Sequence, residues 1–302
     1  MKLNEKLIAP LTNQGEAAKA VRATRTNPVL AEAVRAIPAY VKAQTAYDHL
    51  VAQLAAIPDP PVEASLAADL HATITAGKPL PADLVETVAA RQAQGQAYVH
   101  TQTLLSHLAA QLLQQRDATV TANTDTALTH LQDVVTETIA ELTDIIAVPD
   151  DALTAAEAGH SEQWKRRHEL LTTYRHARQA QWLLCQAATK GGTGLSDQAQ
   201  HTWTHAAYIP DAERHWEDPD DFAHYLARGW KPDPHGDRIT LTPPYPDRPD
   251  HDAWGRWLAT TQITPWVPSL DQLQARVARL ANLASAVTTN KATPARISAR
   301  TA

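Results

Sequence analysis

Three groups of side chains in this 302-residue chain have types and spacings that chemistry could use. His201 and His205 stand four apart in His-Thr-Trp-Thr-His. On a helix two imidazoles at that spacing share a face and could share a metal ion, as a metal-dependent enzyme requires. No glutamate stands between them as a base, and no third ligand follows at a fixed spacing. With fourteen histidines in the chain, such a pair also arises by chance. The pair therefore reads first as structural or surface histidines, and no metal, cofactor or catalytic residue is assigned.

The second group is basic: Lys165, Arg166, Arg167 and His168, then Arg175, His176 and Arg178. Cations along one helix could meet the phosphates of a nucleic acid. The acids Asp133, Glu137, Glu141 and Asp144 precede them. A helical hairpin would set Asp133 opposite Arg166 and make the face a solvated, partly paired one. The third group, Glu213, His215, Glu217, Asp218, Asp220 and Asp221, lacks the ligand spacing and glycine of a calcium loop. Asp218 reads instead as the cap of a helix opening at Pro219.

Six of the eight tryptophans and ten of the twenty prolines lie between residues 203 and 268. Aromatic platforms can stack on sugars or single-stranded nucleic acid. Acids outnumber cations here, however, and a small module with few other large apolar residues needs its rings as a core. The single cysteine, Cys185, follows Trp182-Leu183-Leu184 and reads as a buried structural thiol. Gly191-Gly192-Thr193-Gly194 reads as a helix stop; it follows no strand and carries no Gly-Lys-Ser/Thr.

The elements that position these residues are predicted to be helical. Glycines number only ten, and the apolar content leans on alanine, with one Phe and one Met. Alanine favours helix but buries little area, so cores should be thin. The expected fold class is all-α: an elongated helical hairpin or bundle with a smaller aromatic- and Pro-rich C-terminal module holding at most a short β-hairpin. Asn27-Pro28 starts a helix, Pro38 breaks it, and a short helix over 62–76 stops at Gly77. Residues 82–147 contain no proline and one glycine, and predict one long helix, with Thr119–Thr126 as the place for a bend or break. Val148-Pro149-Asp150-Asp151 makes the turn, Asp150 caps the next helix, and residues 151–190 run back. The near half of the long helix, Leu84 to Leu112, is left needing a cover: the N-terminal helices, or a second copy of the chain.

Later helices are predicted near 196–207, 219–228 and 250–260, with a small hairpin at 231–241 turning on His235-Gly236. Ser269 and Gln272 form a capping box for a last helix. Its residues Leu270, Leu273, Val277 and Leu280 make the cleanest heptad in the chain, either packing on the chain's own bundle or associating with another copy. The tail from Asn290 is mildly basic. Four segments follow: N-terminal helices 1–78, the hairpin 79–194, the Trp/Pro-rich module 195–268, and the amphipathic helix with tail 269–302.

Function is bounded more than named. A net charge of −6 argues against whole-chain attraction to phosphate. No secretory signal and no apolar run of about 20 residues is present, so no membrane is expected and the cytoplasm is the default compartment. The Ala, Thr, Gln and His bias fits high-GC bacteria and their phages. The expectation is a non-catalytic structural or protein-interaction protein, a scaffold or adaptor of phage or mobile-element origin, binding a protein partner or itself. The alternatives are a nucleic-acid-associated protein using the basic helix 165–178 and basic tail, and a metal-dependent enzyme using His201 and His205. Interaction candidates are Lys165, Arg166, Arg167, Arg175, Arg178, Leu270, Leu273, Val277 and Leu280.

Overall fold

The computed structural model describes residues 15–57, 63–189, 207–217, 219–228, 244–246 and 250–290. Among them are eleven α-helices and no strand. These are α1 (Glu16–Ala23), α2 (Pro28–Arg35), α3 (Pro38–Ala56), α4 (Glu63–Thr75), α5 (Leu84–Ala122), α6 (Thr124–Ile145), α7 (Ala152–Glu157), α8 (Ser161–Ala188), α9 (Pro219–Arg228), α10 (His251–Thr261) and α11 (Leu270–Asn290). A 3₁₀ turn spans Ala212–His215. The fold is all-α, a helical bundle. All but the last residue of the expected helix at 196–207, with His201 and His205, and the hairpin at 231–241, Gly191–Gly194, Asp218 and the tail beyond Asn290 lie outside the described residues.

The chain divides into two compact units. One comprises Pro38–Thr119; the other joins Gly15–Ile37 to the chain from Val120 onward. In the latter, α6 and α8 pack side by side, and α1, α2 and α10 lie against α8. The buried faces are Leu128, Leu131, Val135 and Leu142 on α6 and Leu170, Leu171, Tyr174 and Leu184 on α8. Asn27 does two jobs. Its side-chain oxygen accepts from the Leu30 amide at 2.9 Å, capping α2. Its amide nitrogen donates to the His176 carbonyl, also at 2.9 Å, fixing that cap to α8. Helix α1 was not legible as an element, because it buries mainly alanines, Ala18 and Ala20, beside Val21.

The stretch 82–147 is two helices. It breaks at Asn123, inside the expected window, where the backbone takes φ −125° and ψ 29°. The Thr124 hydroxyl donates back to the Val120 and Thr121 carbonyls at 2.9 and 3.2 Å. Local side-chain bonding of this kind competes with the helical ladder.

The return arm is also split, which shifts the hairpin register. After α7, Gly159 sits at φ +76°. Its amide donates to Ala156 and the next amide, of His160, to Ala155. This is a Schellman closure, which a left-handed residue completes. Asp151, rather than Asp150, caps α7 by accepting from the Thr154 amide at 2.8 Å. The short helix sets α8 back by two turns. Arg166 consequently meets Glu141, not Asp133, and the Trp164 indole donates to the Asp150 carbonyl at the turn.

Helix α10 approaches α8 closely at Gly255. A Cβ there would lie 3.2 Å from both Leu171 Cδ2 and Tyr174 Cδ1, and both those side chains are buried. Alanine gains about 1 kcal/mol of helix propensity over glycine, but the overpacked contact costs about 1–3 kcal/mol. Gly255→Ala should therefore be net destabilising by about 1 kcal/mol, and Gly255→Val by more. Urea midpoints check this; a stabilised Gly255→Ala would mean the contact yields freely.

Candidate functional site

Every cation of the basic helix is engaged within the chain. Lys165 pairs with Glu162 at 2.8 Å, whose hydrogen bond raises the lysine's pKa. Arg166 bridges Glu141 at 2.5 Å and Glu169 at 3.2 Å, and the Glu141 bond raises its pKa. Arg175 grips Asp252 of α10 with two nitrogens, at 3.2 and 3.0 Å. Arg167 is buried. It donates to the Val148 and Pro149 carbonyls at the turn and pairs with Asp150 at 2.9 Å. Loss of water lowers its pKa, with Asp150 opposing. Asp150 also receives Arg256 of α10 at 2.8 Å, so the acid expected as a cap instead joins two arginines.

Arg178 is the most enclosed of the set, with no exposed surface. Its guanidinium donates to the Tyr174 hydroxyl at 3.0 Å, the Gln181 side-chain oxygen at 2.9 Å, and the Ala207 and Trp266 carbonyls at 3.2 and 2.8 Å. It also lies over the Tyr208 ring, 4.2 Å from the centroid. One side chain thus ties α8 to two later segments of the chain, at Ala207 and at Trp266. Gln132 of α6 holds the second of these, donating to the Pro265 carbonyl and accepting from the Val267 amide at 2.6 Å.

The heptad of α11 is placed inside the molecule. Leu273 and Leu280 are buried, while Leu270 and Val277 are half-buried, and α11 packs against α9. The capping box forms as expected. The Ser269 amide donates to Gln272 at 2.9 Å and the Gln272 amide to the Ser269 hydroxyl at 3.3 Å. Arg276, also buried, binds Glu213 through two nitrogens, and Arg279 adds a contact at 2.6 Å. Burial pushes the Glu213 carboxyl up, but these arginines outweigh it and hold it below its usual range. The carboxylate imagined in a cation site is therefore committed to two guanidinium groups.

The aromatic module is packed ring on ring. Trp254 is fully buried between Tyr208, Tyr245 and Trp257, with centroids 5.3, 5.4 and 5.6 Å away. Trp216 donates to the Tyr245 hydroxyl at 2.8 Å and Trp257 to the Pro244 carbonyl at 3.0 Å. Cys185 is buried as expected, its thiol pushed up to about 12 by burial, which leaves it protonated and unreactive near neutrality.

The surface that stands open is in the other unit. Here α3 lies alongside the second half of α5. Gln44 accepts from Arg116 at 3.0 Å, and Leu50 and Gln53 line a shallow groove of about 330 Å³ with Leu108 and Leu112. Before that groove the cover stops: no residue from 67 to 105 is buried. Val85 is 81% exposed, Val99 63% and Leu104 54%; Val88 and Leu108 are also exposed. At about 100° per residue, Val85, Val88 and Val99 fall on one shoulder of α5 and Leu104 and Leu108 on the other. Between them runs the half-buried stripe Leu84, Tyr98, Leu105 and Leu112. The apolar arc thus spans about 260°, where one neighbouring helix needs roughly 100°. The sequence signal for this surface was the near half of the long helix, left without a cover.

Among the described residues no helix is long and apolar enough to cross a membrane. No family model matches the chain, and no match was found among curated proteins or solved structures.

Proposed function

We propose that this is a non-catalytic structural or protein-interaction protein, a scaffold or adaptor that presents α5 as its docking element. The observation that carries the reading is the exposure of Val85, Val88, Val99, Leu104 and Leu108 on one helix. Contiguous apolar surface of this kind is disfavoured in water and marks a place where another protein binds. The unit containing α6 and α8 supports the reading differently: its charged and aromatic side chains are engaged with one another, as befits a rigid body. The nucleic-acid alternative has no comparable support, since the five cations from Lys165 to Arg178 each hold an acceptor inside the chain.

The test is the double variant Val99→Glu, Leu104→Glu, melted at low protein concentration. Two carboxylates added to a wet surface change stability by no more than about 0.5 kcal/mol each. In a core they would each cost several kcal/mol. The variant should therefore melt close to the wild type and bind less of an apolar dye. A large drop in its melting temperature would place this face inside the fold and end the reading.

A further inference from the structure

We infer that the occupant of the open α5 surface is a second copy of this chain, an inference that rests on the docking role proposed above. Residues 92–115 contain no Asp, Glu, Lys or Arg. An acidic or basic partner, an anionic lipid surface or a nucleic acid would find no countercharge along this stretch. An identical copy would meet no like-charge repulsion, in either orientation.

The polar groups that flank the apolar positions favour the same occupant. Gln92, Gln94, Gln96 and Gln114 are exposed and lie outside the α3 groove. A carboxamide both donates and accepts, so glutamine set against glutamine is satisfied, whereas a face of lysines or glutamates opposed to itself is not. A two-fold interface needs this self-complementarity, because the same patch is used on both sides.

The size also suits. Residues 85–115 extend about 45 Å at 1.5 Å per residue. At a helix spacing of 8–10 Å, side-by-side pairing over that length covers on the order of 500–700 Å² of each copy. That approaches the roughly 800 Å² per partner of a stable complex. The apolar arc has room for it, since α3 reaches only the second half of α5, where Leu108 and Leu112 line the groove with it, and the first half stays open.

The experiment is sedimentation equilibrium of the full chain from about 1 to 100 µM, beside the Val99→Glu, Leu104→Glu double variant. That variant charges both shoulders and so reports whichever one is buried. The wild type should reach twice the chain mass, and the variant should associate at least about a hundredfold more weakly. A wild type that stays monomeric throughout overturns the inference. So does a variant that dimerises as well as the wild type, because the contact would then lie elsewhere. A monomeric wild type with a stably folded variant would leave the docking role standing for a different protein; a destabilised variant would remove both.

Discussion

Arg178→Ala is expected to cost about 3–5 kcal/mol of folding stability. The side chain is fully buried, so truncation opens a cavity, and large-to-small core changes cost about 2–5 kcal/mol. Truncation also strips the buried Gln181 side-chain oxygen of its guanidinium donor, at about 1–3 kcal/mol for an unsatisfied buried group. Working against these terms is relief from holding a cation out of water. The Ala207 carbonyl is less affected, because Gln181 also donates to it at 3.2 Å. Arg178→Met restores most of the volume without the donors and should lose about half as much. Arg178→Lys should not rescue, since one ammonium would have to replace donors on two nitrogens, Nε to Tyr174 and Nη1 to Gln181, Ala207 and Trp266, and it lacks the planar face that lies over Tyr208. Urea unfolding of the three variants checks the order. An Arg178→Ala protein within 1 kcal/mol of the wild type would mean that the guanidinium does not organise this core.

The second large effect depends on pH. The Tyr208 hydroxyl and His251 Nδ1 share a hydrogen bond of 2.9 Å. Burial lowers the imidazole to about 4, and the Arg178 charge pushes the same way. His251 is also the first residue of α10, where the helix dipole disfavours a cation. In the unfolded chain the same group titrates near 6.5. Between those values the unfolded state binds a proton that the native state excludes, so stability falls as pH falls from about 6.5 to 4. The loss should reach about 2–3 kcal/mol. Protonation of Glu213 weakens the protein too, but in a lower window, because its native value lies below the ordinary carboxylate range. Comparing His251→Gln with the wild type isolates the imidazole. The variant should lose most of the slope between pH 6.5 and 4.5, and an unchanged slope would show that His251 is not the group responsible.

The features legible in the sequence were those written by local chemistry. Asn27 and the Ser269–Gln272 pair cap helices using neighbours three residues away. Pro38 opens α3, Gly77 ends the segment after α4 at φ +68°, and the Thr-rich stretch breaks the long helix at Asn123. Features set by distant partners were not legible. Arg167, Arg178 and Arg276 look like surface charges until segments far away in sequence supply their acceptors. The hairpin register slipped because Gly159 resembled any residue within a helix, while its left-handed backbone ends α7 and delays α8. Of the interaction candidates, the arginines and the α11 leucines are involved in the molecule's own packing. The open surface lies instead on α5, where alanine, glutamine and threonine dilute the apolar signal.

In the unit holding that surface, the proposal is that the first half of α5 is solvent-facing in the single chain and covered by a second copy. Cysteine labelling of Val99→Cys tests it most directly, because the native Cys185 is buried, with its thiol pushed up to about 12, and stays silent. Modification should be rapid in dilute solution and slow as the protein concentration rises and the face is covered. Slow modification at every dilution would show that the chain buries this face by itself, and would contradict the claim.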